Sequence, residues 1–96
     1  MKAKVFLLDP SDGRAIQDVL RDLCRRGEPD HVGSRIRLHP RARVEFYGPD
    51  EVWYVADADD VMEQRFRGLQ FDEVVISARL QRQVDAANIL RRQVKP

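Results

Sequence analysis

Residues 4–26, KVFLLDPSDGRAIQDVLRDLCRR, decide the fold because they place a strand, a turn and a helix in direct succession. The apolar run from Lys4 to Leu8 is short and ends at turn residues, which is typical of a buried strand. The turn that follows contains Ser11 and Asp12, and either side chain can cap the next helix by accepting a bond from a free N–H. We therefore predict a first strand and then a helix over about residues 12–26.

The predicted first helix has one apolar face and one charged face. Its apolar residues recur every three or four positions, which is the spacing of a helix that packs on a core. These residues are Ala15, Ile16, Val19, Leu20, Leu23 and Cys24. Arg25 and Arg26 suit the negative end of the helix, and Gly27 ends it.

The middle of the chain predicts a β-hairpin with one buried face and one basic face. Residues 34–38 and 42–47 alternate apolar and charged side chains with a period of two. Such alternation is typical of antiparallel strands that cover a core with one face only. The apolar members are Ile36, Leu38, Ala42, Val44 and Phe46. The basic members are Arg35, Arg37 and Arg43, and Arg41 lies in the segment between the two strands.

Further strands and helices complete the predicted fold. We predict a strand at residues 51–55, a short acidic helix that continues to Phe66, a buried strand at 73–77 and a last helix over about 79–94. Strands that alternate with helices favour an α/β fold. We expect a small, partly parallel sheet with a β-hairpin, flanked by two main helices and one short helix, as a single domain over residues 1–96.

Composition narrows the class of protein. No run approaches the about 20 apolar residues of a membrane helix. We therefore expect no membrane contact. The one cysteine, Cys24, excludes an internal disulfide and a cysteine-based zinc site, so we expect a protein of the reducing cytoplasm. The net charge of +1 neither favours nor excludes a nucleic-acid partner, and we attribute the excess of arginine among the 17 basic residues to a GC-rich genome.

Two stretches resemble segments of helicase and phage terminase ATPase cores. Residues 5–11, VFLLDPS, followed by a helix, are similar to a strand-Pro-Ser/Thr-helix step of those cores. Residues 67–76, RGLQFDEVVI, look like the run that leads into their second nucleotide motif. The hairpin between the two stretches also has a counterpart in terminases. The resemblance implies a phage or prophage protein of the host cytoplasm.

The chain departs from those ATPases at both halves of the nucleotide site. The phosphate-binding pattern GxxxxGK[ST] is missing, so neither the backbone cradle nor the lysine for the phosphates is supplied. Ser77 and Ala78 follow Ile76 where Asp-Glu would stand, and neither can replace a carboxylate on magnesium. We carry over no catalytic residue and predict a protein that is not an enzyme and takes no cofactor.

Other chemistry-bearing residues lack the spacing of a site. His31 and His39 match no metal-binding pattern, so we predict surface loop histidines and no metal. Cys24 lies on the apolar stripe of the helix and is interpreted as a buried, inert thiol. Asp57 opens an acidic cluster, but Met62 stands where a calcium loop needs glycine, so we interpret the cluster as a helix start or an acidic contact surface.

Two functions remain open. We favour a non-catalytic interaction protein that binds a protein partner or itself as a homodimer. Trp53 and Tyr54 point to opposite faces of a strand, so one is core and the other is exposed, and exposed aromatics are enriched at interfaces. The predicted interface residues are Trp53, Tyr54, Asp57 and Asp59.

The alternative is a DNA- or RNA-binding module that uses the arginine hairpin. Its predicted contacts are Arg35, Arg37, Arg41 and Arg43. Glu45 lies among these arginines, and we expect no aromatic side chains between them, which disfavours stacking on single strands. The competing interpretation is an ordinary solvated strand face.

Overall fold

The computed structural model describes residues 1–8, 13–76 and 84–96. The strands are β1 (Lys2–Leu7), β2 (Gly33–Arg37), β3 (Arg43–Tyr47), β4 (Glu51–Ala56) and β5 (Glu73–Ile76). The helices are α1 (Ile16–Gly27), α2 (Ala58–Met62) and α3 (Val84–Arg91), with a 3₁₀ turn at Glu28–Asp30. The predicted α/β class with a hairpin is confirmed.

The five strands form one mixed sheet in the order β2-β3-β4-β1-β5. β2, β3 and β4 follow one another as antiparallel neighbours. β1 lies between β4 and β5 and is parallel to both. The sheet is therefore partly parallel, as predicted, with its antiparallel half at the β2 end.

Several helix bounds differ from the predicted ones. α1 begins at Ile16 after Ala15, which makes no side-chain capping bond, and the predicted caps Ser11 and Asp12 lie outside the described residues. α2 stops at Met62 because Gln64 takes a left-handed conformation with φ 62°, which a helix cannot continue through. The predicted last helix is described only from residue 84, and it ends at residue 91.

α1 packs on one face of the sheet, mainly against β3 and β4. This first core consists of Val19, Leu20, Leu23, Val44, Phe46, Trp53 and Val55. Phe46 meets the end of α1 at Gly27, where an added Cβ would lie 2.3 Å from the phenyl ring. The close approach of helix and strand therefore depends on glycine at this position.

α2, α3 and the turns between α2 and β5 cover the opposite face over β1 and β4. This second core consists of Val5, Leu7, Ala56, Val61, Phe66, Phe71, Ala86, Ala87 and Leu90. The Nε2 of Gln93 donates to the carbonyl oxygens of Phe66 and Leu69 at 2.6 and 2.8 Å, which fixes the turns after α2 to the end of α3. Among the described helices, none has the length and apolar character needed to cross a membrane.

Candidate functional site

The second face of the sheet is covered at one end and open at the other. No residue of β2 or β3 belongs to the described core under α2 and α3. The side chains of β2, β3 and β4 that point away from α1 form a continuous surface, which we call the arginine face. Its residues are Arg35, Arg37, Arg43, Glu45, Tyr47, Val52 and Tyr54.

Strand register brings the arginines of the face together. In the β2–β3 pair, Arg37 lies directly opposite Arg43 and Arg35 lies opposite Glu45. Facing residues of the same sheet side lie within side-chain contact, so the two opposed arginines would repel each other without a counter-charge. The hairpin predicted from the sequence thus places three arginines on one side of adjacent strands.

Glu45 supplies the counter-charge between two of these arginines. Its Oε1 accepts from the Nε of Arg37 at 3.0 Å, and its Oε2 accepts from the Nε of Arg43 at 3.2 Å. Burial raises the pKa of Glu45, but the hydrogen bonds and positive charges of the two arginines outweigh it and the pKa is lowered. Each guanidinium has five N–H donors, so Arg37 keeps donors for a ligand.

Arg43 and Arg41 are held by main-chain oxygens of the described residues. Arg43 donates from one terminal nitrogen to the carbonyl oxygens of His39 and Arg41 at 3.1 and 2.9 Å. The Nε of Arg41 donates to the carbonyl oxygen of Arg65 at 2.8 Å, and its guanidinium lies 6.0 Å from the Phe66 ring centre. These bonds orient the two guanidinium groups in advance of any ligand.

Arg35 differs from the other three arginines. It is exposed and makes no ion pair or hydrogen bond through its side chain with the residues that the structure describes. Its neighbour across the strands, Glu45, is engaged by Arg37 and Arg43. Arg35 therefore presents a full guanidinium charge to solvent at the edge of the face.

Among the described residues of β2 and β3, no aromatic side chain separates the arginines, but two tyrosines lie beside them on the same face. The alternation of β3 continues from Arg43 and Glu45 to Tyr47, which is 43% exposed. Tyr54 lies directly opposite Arg43 in the β3–β4 register. A groove of about 390 Å³ along the face is lined by both tyrosines together with Arg41, Arg43 and Glu45.

Tyr54 stands at the border between the open and covered parts of the sheet. Its ring packs edge-on against Phe66 and Phe71, with centroid distances of 6.0 and 5.9 Å. One side of the tyrosine thus belongs to the second core and the other side lines the groove. As predicted, the two adjacent aromatics point to opposite faces, but it is the half-buried tyrosine that remains accessible.

Trp53, one of the predicted interface residues, lies in the first core. It is 8% exposed and packs against Phe46 and Phe6 at centroid distances of 4.7 and 5.4 Å. Its Nε1 donates to the Oε1 of Glu51 at 2.8 Å. The tryptophan is buried because the α1 side of β4 forms the first core.

The two predicted acidic interface residues lie around the start of α2. Asp57 is the N-cap: its Oδ1 accepts from the backbone N–H of Asp60 at 2.7 Å. This bond satisfies one of the free N–H groups of the helix, so the helix-start interpretation of Asp57 is confirmed. Asp59 is exposed on the first turn. Neither side chain lines the arginine face.

His31 is buried, which corrects the prediction of a surface loop histidine. Its side chain is 3% exposed and its ring stacks on Phe46 at a centroid distance of 4.5 Å. Nδ1 lies 2.6 Å from the carbonyl oxygen of Gly27, and Nε2 lies 3.0 Å from the Oε2 of Glu51. His39, by contrast, is exposed. Within the described ranges, no three His, Cys, Asp or Glu side chains are grouped as metal ligands.

Comparison with known proteins leaves the similarity to ATPase cores untested. No protein-family model, curated protein or solved structure matches this chain. The relationship to terminases and helicases, and the phage origin that it implies, therefore stay predictions from the sequence.

Proposed function

We propose that this protein is a non-catalytic module that binds single-stranded nucleic acid on the arginine face. The observation that carries the proposal is the open half of the sheet, where the exposed Arg35, Arg37 and Tyr47 lie on the same face as the partly exposed Arg43 and Tyr54. This reverses the order of the two functions favoured by the sequence, because Trp53 lies in the core and Asp57 caps a helix.

The arginines suit a phosphate backbone. A guanidinium donates through a planar fork that matches two phosphate oxygens. Arg35 and Arg37 are exposed along β2, and Arg41 and Arg43 line the adjoining groove. A chain of phosphates that follows the strands would meet these four charges. Glu45 lies among them on the face, and Asp50 and Glu51 also line the groove.

The tyrosines suit bases that are not paired. An unstacked base can lie on an exposed aromatic ring of a sheet, which is how many sheet surfaces bind single strands. Tyr47 offers such a ring at one end of the groove, and Tyr54 offers part of one at the other end. A duplex keeps its bases stacked inside, so this combination of side chains favours a single strand over a duplex.

The first test is binding of a labelled mixed-sequence single-stranded oligonucleotide, measured by fluorescence anisotropy at several salt concentrations. With about four phosphates contacted, log K should fall with log salt with a slope of about −3. Tyr47→Ala should weaken binding by about tenfold through loss of stacking. Arg35→Ala should weaken binding and make the salt slope shallower by about 0.7.

Arg92→Ala is the matched control, because Arg92 is also exposed but lines a different groove beside α3. It should bind like the parent protein. If Arg92→Ala and Arg35→Ala lost the same oligonucleotide affinity, the effect would come from net charge alone. That result would contradict a site on the arginine face. Tighter binding of a matched duplex would contradict the single-strand assignment.

We further propose that the protein acts in the cytoplasm and comes from a phage or prophage. Support comes from the single cysteine and from the two segments similar to ATPase cores, which lack the residues for ATP chemistry. One feature supports the protein-partner function predicted from the sequence: the outer edge of β2 pairs with no strand of the described ranges.

A further inference from the structure

β2 is the last strand on its side of the sheet. One edge of the strand pairs with β3, and the other edge pairs with no strand among the described residues. Backbone N–H and C=O groups on a free strand edge can bind a further strand. β2 contains no proline, so the alternate residues whose backbone groups point to this edge all keep their N–H donor.

The side chains of β2 differ between its two sides. On the side of the arginine face, the strand presents Arg35 and Arg37. On the α1 side, Ile36 is 37% exposed, and Leu38, which follows the strand, is 38% exposed. Ile36 lies opposite the buried Val44, so the apolar surface continues from the first core to the free edge.

We propose that β2 binds an extended segment of a partner protein in which acidic residues alternate with apolar ones. Residues of an added strand point alternately to the two sides of the sheet. Its acidic side chains would meet Arg35 and Arg37, and its apolar side chains would extend the surface formed by Ile36 and Leu38. Main-chain bonds supply affinity, and the alternating pattern supplies selectivity.

A second copy of this chain fits the edge less well than an acidic strand does. In the two-fold antiparallel register that pairs all five residues of β2, Arg35 would face the same residue of the copy. Like charges directly opposite each other destabilise a strand pair. The homodimer predicted from the sequence would therefore require a different register of β2 or a different surface.

The test uses a short synthetic peptide in which glutamate alternates with valine, labelled for fluorescence anisotropy. A peptide with lysine in place of glutamate tests the charge, and a peptide with methylated backbone nitrogens tests strand pairing. Both should bind about tenfold more weakly than the glutamate peptide or worse. Amide shifts on addition of the glutamate peptide should concentrate at Gly33–Arg37.

Two variants test the assignment from the protein side. Arg35→Glu should reverse the preference, so that the lysine peptide binds more tightly than the glutamate peptide. Arg92→Glu makes the same charge change at an exposed arginine away from β2 and should keep the original preference. Equal binding of the charged peptides, undiminished binding of the methylated peptide, or shifts centred away from β2 would overturn the proposal.

This proposal shares Arg35 and Arg37 with the nucleic-acid site but does not require that site, and Tyr47→Ala separates the two. Tyr47 lies on the arginine face and not on the free edge. The variant should therefore lose oligonucleotide affinity and keep peptide affinity. A solution dimer in which the amides of Gly33–Arg37 are protected from exchange in the free protein would also overturn the proposal.

Discussion

At the scale of single residues, His31 connects three parts of the fold. Its Nδ1 faces the last carbonyl of α1 at Gly27, its Nε2 faces Glu51 at the start of β4, and its ring lies on Phe46 of β3. A carbonyl oxygen and a carboxylate oxygen can only accept, so each ring nitrogen of His31 faces an acceptor to which it donates when it carries a hydrogen. The imidazole thereby holds the end of α1 to the antiparallel half of the sheet.

We expect His31→Ala to lower the free energy of unfolding by about 2 to 3 kcal/mol, because it removes the ring contact and leaves buried hydrogen-bonding groups without a partner. The measurement is urea denaturation followed by circular dichroism. His39→Ala is the control, and it should change stability by less than about 0.5 kcal/mol because His39 is exposed. Equal effects of the two substitutions would contradict a structural role for His31.

The sequence could not have revealed this role of His31. The residue follows a 3₁₀ turn, and no periodic pattern includes it. Its side chain is buried by residues of β3 and β4, which are distant from it in sequence and contact it only in the folded chain. A histidine in a polar loop between Pro29 and Gly33 is compatible with either a surface or a buried position.

At the scale of elements, the strands could be predicted better than the site that they carry. Alternation from residue 34 to residue 47 predicts the hairpin and its basic side, because a strand has a period of two. The same period places Tyr47 on the basic side, so the sequence contained this signal. Tyr54 could not be placed, since its contact with Arg43 depends on the register between β3 and β4.

The α1–β3 contact predicts the sign of the stability change on Gly27→Ala. Packing and helix propensity predict opposite signs for this change. Gly27 has helical geometry, so propensity alone predicts that Gly27→Ala stabilises the helix by about 1 kcal/mol. The added methyl would instead lie 2.3 Å from the Phe46 ring. We expect a net loss of about 1 to 3 kcal/mol, because the ring or the helix must move.

Thermal denaturation of Gly27→Ala, Phe46→Leu and the double variant checks this explanation. Phe46→Leu alone should destabilise the core, but in the double variant the smaller side chain leaves space for the methyl. The combined loss should therefore be smaller than the sum of the single losses. Strict additivity, or a gain in stability from Gly27→Ala alone, would show that the Phe46 ring does not prevent a larger side chain at position 27.

At the scale of the whole molecule, the net charge of +1 conceals a separation of charge. Arginines dominate the open face of β2 and β3, while Asp57, Asp59 and Asp60 surround the start of α2. A chain with this arrangement can attract an anion to one surface without being basic overall. The near-neutral total therefore does not argue against the proposed nucleic-acid site.

The same arrangement determines how stability responds to acid. Burial raises the pKa of Glu51, but hydrogen bonds from Trp53 and His31 and the charge of Lys4 outweigh it, so the pKa is lowered. The pKa of Glu45 is lowered in the same sense by Arg37 and Arg43. A lowered folded-state pKa contributes stability above the ordinary value of 4.5. That contribution is lost as the pH falls through the lowered value.

The pKa of Asp60 is shifted in the opposite direction from those of Glu45 and Glu51. Burial and the charge of Asp57 raise its pKa, so its ionised form costs stability at neutral pH and protonation relieves this cost.

We expect the parent protein to lose stability progressively below about pH 4.5. Glu45→Gln should give lower stability at pH 7 and a shallower loss of stability in acid. Asp60→Asn should leave stability at pH 7 unchanged or higher and make the loss in acid steeper. Urea titrations at a series of pH values measure all three slopes, and a Glu45→Gln slope equal to that of the parent would show that the arginine pair does not stabilise this carboxylate.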